Sequence, residues 1–395
     1  NDGGSEIIAL TLDMSDAGTA TFNHDIKLGD NSEAVFGAGS DLKIYHDSNN
    51  SYIDDAGTGD LYIRANNLRL ANADGSEATI NANNGGAVEI HFAGSQKLAT
   101  TSSGVNVTGT INGVGILADT TNFVDSILIS QDAGTGTLSS ASNNTGLGNE
   151  VFNALTSGTA NTAVGNLAGT AITTGRRNVA IGAESLEANT TGENNTAVGQ
   201  EALEANTTAS NNTAVGRQAL TSNTTGGTNV AVGSFSMDAN TTGQNNVAAG
   251  VHALGGNTTA DDNTAIGHNA LKENTTGAQN TAVGSLALDV NTTGIRQVAV
   301  GYNALGANTE GDSNVAIGRS ALGSNTTADD NVAIGREALF ANTTGEDNVA
   351  IGNYALDANT TASNNVAVGR SALTENTTGA QNVAVGAASL DANTT

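Results

Sequence analysis

The 395-residue sequence contains no proline, no cysteine and no tryptophan, and aromatic residues make up only 3% of it. Without cysteine, the chain can form neither a disulfide framework nor a thiolate metal site. A globular enzyme of this length normally fills a thick core with large side chains. Here the apolar residues are mostly Ala, Val, Ile and Leu, spread evenly along the chain. These absences favour a long, thin core.

Basic residues and long apolar runs are also scarce. The chain has 13 basic residues against 39 acidic ones, which gives a net charge of −26. Such a field repels phosphate backbones, so we predict that the chain binds no nucleic acid. No segment approaches the roughly 18 to 20 consecutive apolar residues that a membrane-spanning helix needs, so we predict no membrane insertion.

From Asn144 onward the sequence repeats with a period of seventeen, in fifteen copies of which the last is cut short at Thr395. Positions are numbered 1 to 17 within each copy, so that position 1 is Asn144 in the first copy and Asn161 in the second. Position 3 is Ala in every copy except the first, which has Gly146, and position 9 is Leu in twelve of the last thirteen copies. Position 5 is always Gly, as expected for a turn that needs positive φ or close backbone approach. The predicted turn glycines are Gly165, Gly182, Gly199, Gly216, Gly233, Gly250, Gly267, Gly284, Gly301, Gly318, Gly335, Gly352, Gly369 and Gly386.

The length of the repeat predicts the fold. Helical hairpin repeats need roughly 33 to 47 residues, so they are too long. A single helix per copy is disfavoured by the Gly at position 5 and by the β-branched Thr pair at positions 13 and 14. Two short strands with two tight turns fit the period. We therefore predict an all-β parallel β-solenoid over residues 144–395, with one repeat per coil and a length of about 70 Å.

Alternation along the strand separates two faces of each coil. Positions 2 and 4 carry β-branched or aliphatic residues that point one way, and Ala at position 3 points the other way. We expect position 4 and Leu at position 9 to form aliphatic columns through the core, with position 2 at the core edge. The small Ala residues at positions 3 and 8 would let the faces of neighbouring solenoids approach closely, so the sequence is compatible with side-by-side assembly. The variable polar positions 6, 7, 10, 16 and 17 are expected to face water.

Position 12 is the most informative polar position. It is Leu155 and Ile172 in the first two copies and Asn in all later ones. One interpretation is an inward column in which stacked Asn amides bond to each other between coils, since buried polar groups need partners. The other is an outward Asn that holds a turn. The column consists of Asn189, Asn206, Asn223, Asn240, Asn257, Asn274, Asn291, Asn308, Asn325, Asn342, Asn359, Asn376 and Asn393.

The segment before the repeats has a different pattern. Residues 1–115 contain strand-length alternations such as DLKIYHD, DLYIRANNLRL and VEIHFAG, separated by Gly, Asn, Asp and Ser clusters. They predict a β-rich shaft or small domain, with SGVNVTGTING at 103–113 as its last hairpin. We expect residues 116–143 to form the connection and the N-terminal cap of the solenoid, because an open solenoid end exposes strand edges.

No pattern of catalytic or metal-binding residues is found. The five His residues are scattered, without HxH or HExxH pairing. His46–Asp47 reads as a strand end rather than half of a catalytic pair, and Asp261–Asp262 and Asp329–Asp330 lack the spacing of calcium loops. No repeat contains an insertion that could build a cleft for a pair of catalytic carboxylates. We predict a protein that is not an enzyme, with no catalytic residue, no metal and no cofactor.

The repeat NVAIGxxAL resembles the head repeats of trimeric autotransporter adhesins, and the longer NTAVGxxALxxNTTG resembles repeats in phage tail fibre proteins. The upstream segments TATFNHDIKLGD, GSDLKIYHDSNNSYIDDAGTGDLYIRANNLRL and SGVNVTGTING are similar to segments of marine-phage tail fibres. Together these motifs cover most of the chain. The resemblance implies a left-handed parallel β-roll and homotrimeric assembly.

These resemblances lead to two functional expectations. The first is a structural and attachment protein of a virion, a trimeric tail fibre or similar appendage located outside the cell. Its expected partners are two further copies of itself, other tail or baseplate proteins, and a host cell-surface receptor. The alternative is a bacterial surface adhesin of the trimeric autotransporter type. We expect the native chain to continue beyond Thr395 and to bind the receptor there. No receptor-binding residue can be named from the sequence.

Overall fold

The computed structural model describes residues 23–102, 105–108, 110–111, 114–120, 122–130 and 135–394. All regular secondary structure in these ranges is β-strand, and no helix occurs in them. The chain divides into two compact units, residues 1–107 and 108–395. The predicted all-β fold with a parallel β-solenoid is confirmed.

The first unit contains two antiparallel sheets. One is formed by β1 (Glu33–Phe36), β2 (Leu42–His46) and β3 (Ser51–Asp55). The other is formed by β4 (Asn67–Ala71), β5 (Ala78–Asn83), β6 (Val88–Phe92), β7 (Ser95–Thr100) and β8 (Val105–Val107). Successive strands pair with each other in both sheets, as expected for short strands joined by polar turns. Of the described side chains, Ala99 is buried and Phe92 is mostly exposed, so the core here is thin.

The second unit begins with three antiparallel strands. β9 (Thr110–Ile111) pairs with β10 (Val114–Thr120), which pairs with β11 (Phe123–Ser130). β11 then runs parallel to the first strand of the repeat region and also pairs with the short strand β12 (Ala141–Ser142). The predicted hairpin of residues 103–113 is therefore wrong, because β8 pairs with β7 in the first unit and β9 pairs with β10 in the second.

The repeat region is one continuous parallel stack. Each copy contributes one short strand at positions 2 to 4, paired in register with the strand of the next copy. The predicted second strand of each coil is wrong, because the rest of the repeat is too tightly curved for a straight strand and runs through turns and bends. Each coil supports the next through the same contacts, so stability is a sum of nearest-neighbour terms. The strands are β13 (Thr145–Leu147), β14 (Thr162–Val164), β15 (Val179–Ile181), β16 (Thr196–Val198), β17 (Thr213–Val215), β18 (Val230–Val232), β19 (Val247–Ala249), β20 (Thr264–Ile266), β21 (Thr281–Val283), β22 (Val298–Val300), β23 (Val315–Ile317), β24 (Val332–Ile334), β25 (Val349–Ile351), β26 (Val366–Val368) and β27 (Val383–Val385).

The core of the solenoid is a narrow column of Ala and Leu side chains. The residues at positions 3, 8 and 9 are fully buried in most copies, for example Ala197, Ala202 and Leu203 at 0% exposure. The residue at position 9 adopts φ between 48° and 54° in every copy from Leu186 to Leu390. It is Leu in all of these copies except one, which has Met237. A bulky residue in this left-handed region is uncommon. It occurs here because the turn must aim a large apolar side chain into the core.

The predicted core position of the strand residues is wrong. Ala at position 3 is the inward residue of each strand, while positions 2 and 4 point outward. Val232 and Ile266, both at position 4, are each 43% exposed, whereas Ala231 between Val230 and Val232 is 0% exposed. The interior of a coil this small holds Ala opposite Leu, so the larger aliphatic strand residues are left on the outside. For the same reason, the Ala residues at positions 3 and 8 do not lie on a face between rolls, as the sequence had suggested.

Larger apolar side chains cluster where the solenoid starts. Phe123 and Leu128 of β11 are buried together with Phe152, Leu155 and Ile172 of the first two copies. This apolar cluster closes the first coil, which would otherwise present a polar and unpaired end. Leu155 and Ile172 occupy position 12, where later copies have Asn. They pack in this apolar cluster, and no earlier coil offers them an Asn side chain as a hydrogen-bond partner.

Candidate functional site

The Asn side chains at position 12 point into the solenoid. They are fully buried from Asn189 to Asn376, and Asn393 in the last copy is partly buried. Each amide from Asn206 onward donates a hydrogen bond from Nδ2 to Oδ1 of the equivalent Asn one coil earlier, at 2.8 to 3.4 Å. These side chains form an internal ladder that satisfies their polar groups, as burial requires.

A second internal Asn ladder runs along position 1, where every copy has Asn except for Gln297. These residues are buried down to Asn365. Their Oδ1 atoms accept the backbone N–H of the equivalent residue in the next coil, as in Asn212 N to Asn195 Oδ1 at 3.0 Å. Their Nδ2 atoms donate to the backbone carbonyl at position 15 of the same coil, as in Asn212 to Gly226 at 2.9 Å.

The two Asn ladders meet at that carbonyl. Gly226 O accepts Nδ2 of Asn212 and also Nδ2 of Asn223, the latter at 2.9 Å. Two side chains thereby fix one buried carbonyl in each coil from the third copy to the thirteenth, which joins the two ladders into one connected network. Such a network makes each coil rigid and sets its register on the next one.

Gln297 offers a direct test of the position-1 ladder. Its amide donates to Gly311 O and its Oε1 accepts Asn314 N at 3.1 Å, but its side chain has one methylene more than the column's Asn. Overpacking of a filled interior is destabilising. We expect Gln297→Asn to raise the free energy of unfolding by about 0.5–2 kcal/mol in urea denaturation. The reverse change in the neighbouring coil, Asn280→Gln, should lower it, and equal stability of both variants would contradict this account.

Thr at position 13 forms a third column, which the sequence interpretation missed. Its Oγ1 donates to the backbone carbonyl of the Thr one coil later, as in Thr224 to Thr241 at 3.0 Å and Thr292 to Thr309 at 3.0 Å. The same carbonyl also accepts the backbone N–H of the Thr one coil earlier. The signal was available, because Thr occupies position 13 in all copies from Thr156 to Thr394, just as Asn occupies position 1 in all but one.

The glycines at position 5 end the strand in a conformation that other residues rarely adopt. Their φ lies between 126° and 144°, from Gly148 to Gly386. A Cβ on Gly216 would come within 2.5 Å of the carbonyl oxygen of Gly233 in the next coil. Both the dihedral and the close approach of the next backbone therefore require Gly here.

The outward face of the strands is a regular apolar feature of the solenoid surface. It consists of the side chains at positions 2 and 4 of β13 to β27, which are Val, Ile, Thr and one Leu and one Ala. We call it the strand face. Because every coil repeats the same pair of positions, the strand face is a straight apolar stripe. A long exposed apolar stripe is a candidate interaction surface.

A group of carboxylates lies on a different side of the first coils. Glu184, Glu187 and Glu204 each bring one carboxylate oxygen within 4.8 Å of the other two. Burial, and then the neighbouring Glu184 and Glu204, raise the pKa of Glu187. Glu187 and Glu204 line a groove of about 370 Å³ with Thr170. Carboxylate oxygens are ligands of hard cations, but three of them together do not define a metal site, and we assign none.

Position 10 carries further carboxyls with raised pKa values. Partial burial is the main cause for Asp238, Asp289 and Asp357 alike, and for Asp357 the charge of Glu375 adds to it. A carboxyl whose folded pKa is raised destabilises the fold at pH values above that pKa, and protonation relieves the penalty as the pH falls through it. The solenoid therefore carries a built-in charge penalty at neutral pH.

We expect Asp238→Asn, Asp289→Asn and Asp357→Asn together to raise the melting temperature at pH 7.5 and to change it much less at pH 4. The reason is that burial penalises the charged carboxylates at pH 7.5, and this penalty declines as the pH falls through their raised pKa values. Differential scanning calorimetry of parent and triple variant at both pH values measures this. A gain in stability of the same size at both pH values would contradict it.

His46 and Asp47 form a turn. His46 ends β2, and Asp47 accepts hydrogen bonds from the backbone N–H groups of Asn49 and Asn50 at 3.0 and 2.8 Å and from the hydroxyl of Tyr52 at 2.9 Å. These three bonds, led by that of Asn50, lower the pKa of Asp47. The carboxylate is engaged in holding the β2–β3 hairpin.

The chain matches no protein-family model, no curated protein and no solved structure. Within the described ranges there is also no helix of the length and apolarity that crossing a bilayer requires. The fold itself defines the class: the chain is an all-β repeat protein whose second unit is a parallel β-solenoid with internal Asn and Thr ladders.

Proposed function

We propose that this chain is a structural and attachment protein of a virion, part of a trimeric tail fibre or similar extracellular appendage. The observation that carries the proposal is the strand face on an unbroken stack of fifteen strands in register. A stack without insertions suits a spacer of defined length. An apolar stripe along its whole length suits lengthwise association with identical rods. The motif resemblance to fibre and adhesin repeats supports the same role, and the proposal assigns no enzymatic activity.

The strand face favours self-association over a different partner. Its composition hardly changes from coil to coil, so a second copy aligned in parallel meets the same side chains at every level. Val and Ile at position 4 would be removed from water, and each square ångström of apolar surface buried stabilises the complex by about 25 cal/mol before association costs. Three such faces around one axis cover each other completely, which closes the assembly.

We expect the purified chain to sediment as a trimer. Replacing Val232, Ile266 and Ile317 by Lys should convert it to a monomer, because three charged side chains per copy would then be buried between the rods. Sedimentation equilibrium measures the mass directly.

The matched control places three lysines in the same coils on another side. Thr242, Thr276 and Thr327 at position 14 are exposed, and the equivalent residue in another copy is the charged Glu310. Thr242→Lys, Thr276→Lys and Thr327→Lys should leave the trimer intact. A monomeric parent chain would contradict the proposed assembly.

The biological location requires its own experiment. Mass spectrometry of purified virions from the source should find peptides of this chain, and gold-labelled antibodies against the solenoid should decorate the tail appendage in electron micrographs. Labelling of the bacterial envelope in uninfected cells would instead support the adhesin alternative, which the NVAIGxxAL repeats resemble equally well.

A further inference from the structure

The corner that follows each strand carries an unusual group of side chains in the later copies. Position 6 is Tyr302, Arg319, Arg336 and Arg370 in copies 10, 11, 12 and 14, and Tyr354 at position 7 lies beside this column in copy 13. We call these five residues the arginine–tyrosine stripe. Tyr302 is 55% exposed and the Arg319 side chain is 63% exposed. The stripe covers about 19 Å along the axis, since neighbouring coils are about 4.8 Å apart.

Charge is segregated around the coil in this region. Residues 297–395 contain three basic residues, all in the stripe, and ten acidic ones. Six of the ten acids lie at positions 14, 16 and 17, on the turn that precedes the strand: Glu310, Asp312, Asp329, Asp330, Glu346 and Asp347. The stripe is therefore a local basic surface on a strongly acidic protein. The two tyrosines of the repeat region, Tyr302 and Tyr354, both lie in it.

Arg336 and Arg319 of the stripe make contacts that leave their guanidinium groups able to bind a ligand. The Arg336 guanidinium lies over the Tyr354 ring, 4.5 Å from its centroid, and also donates to the Tyr354 hydroxyl. This stacking fixes the guanidinium plane against the surface. Arg319 pairs with Glu337 at 3.3 Å, but the Arg319 side chain is mostly exposed, and ion pairs at a surface are weak because water competes with them. An anionic ligand can therefore compete for Arg319.

We infer that the stripe binds an acidic polysaccharide that lies along the solenoid axis. Arg presents a planar fork that matches carboxylate, sulfate and phosphate groups. The exposed ring of Tyr302 suits the C–H face of a sugar ring, while Tyr354 holds the Arg336 guanidinium in place. A column with basic groups at intervals of one and two coils fits a linear ligand whose charges recur along its length. This inference deepens the proposed attachment role, because it places a receptor-binding surface on the side of the solenoid.

The test is binding of the full chain to polygalacturonate and to dextran sulfate, with neutral dextran as a blank, by isothermal titration calorimetry. The stripe variant is Arg319→Ser, Arg336→Ser and Arg370→Ser, since Ser234 and Ser285 occupy position 6 in other copies. We expect the parent to bind at least one of the two anionic polymers and the stripe variant to bind it about 10- to 100-fold more weakly. The affinity of the parent should fall as salt increases.

The control variant has the same change of net charge at the opposite turn. Arg176→Ser, Arg177→Ser and Arg296→Ser lie at positions 16 and 17, where Ser210 and Ser313 occur in other copies. This variant should bind like the parent. Equal weakening in both triple variants, no binding by the parent, or tighter binding of single-stranded DNA than of either polymer would overturn the inference. Both variants should remain trimeric, so a failed binding test is distinguishable from a failure of the proposed fibre.

Discussion

Gly216→Ala is expected to destabilise the solenoid by about 3–5 kcal/mol or to prevent its folding. Gly216 has a φ of 138°, and a Cβ there would lie 2.5 Å from the carbonyl oxygen and 2.6 Å from the carbonyl carbon of Gly233. The clash is with backbone, so no side-chain rotation relieves it. One misfitting coil weakens the contacts with the coils on both sides. Urea denaturation followed by circular dichroism measures the loss.

Gly227→Ala is the matched control within the same copy. Gly227 lies at position 16, where Ala278 and Ala380 occur in other copies, and its Cβ would meet only Ser210 O at 3.2 Å. This change should alter the free energy of unfolding by less than about 1 kcal/mol. Equal stability of the two Gly→Ala variants would show that position 5 is not constrained in the way the φ values indicate.

Asn274→Asp is expected to cost about 3–5 kcal/mol at neutral pH. Asn274 Nδ2 donates to Asn257 Oδ1 at 3.1 Å and to Gly277 O at 2.9 Å, while its Oδ1 accepts Asn291 Nδ2 at 2.9 Å. An aspartate loses both donations and brings its oxygens against two acceptors inside the stack. The variant should recover part of its stability as the pH falls, because protonation of a buried carboxyl removes the charge and restores one donor.

The control for this change is Asn245→Asp. Asn245 is exposed at position 17, where Asp262, Asp330 and Asp347 occur in other copies. Thermal unfolding should differ little between parent and Asn245→Asp at any pH. An Asn274→Asp variant as stable as Asn245→Asp at pH 7.5 would contradict the internal ladder.

Much of the solenoid could be predicted from the repeat alone. The short, constant period, with Gly at position 5 and no insertion, predicts a β-solenoid with one repeat per coil, as the structure has it. The expected second strand was wrong, because each coil has one strand at positions 2 to 4 and the rest of the coil runs through turns. The apolar Leu155 and Ile172 at the start of the position-12 column indicated an inward column, and the structure places the Asn side chains inside. Constancy within one chain thus indicated which positions are buried.

The constancy of positions within the repeat did not reveal which side of each strand points into the core. Alternation shows that Ala248 and Val247 point to opposite sides, but it gives no direction. Size suggested that Val and Ile fill the core, and this was wrong, because Leu254 already occupies the narrow interior and leaves space only for Ala opposite it. The proposed trimer supplies the physical reason for a large aliphatic residue on the outside.

The positive φ of the leucines at position 9 could not be predicted from the sequence either. Leu prefers negative φ, and local preference gives no sign that Leu271 adopts a φ of 51°. Tertiary structure overrides the preference, since Asn274 N donates to Leu271 O and closes the turn that buries this side chain. The contact between Arg336 and Tyr354 could not be predicted for a similar reason, because these residues belong to different copies and meet only when the coils stack.

Electron cryomicroscopy of the purified chain tests the central claim most directly. The account predicts coils about 4.8 Å apart along each solenoid. It also predicts three solenoids around a common axis, with the position 2 and 4 side chains between them and the position 3 Ala residues inside each one. A single solenoid with its strand face open to solvent, or a trimer joined through another side of the coil, would contradict it.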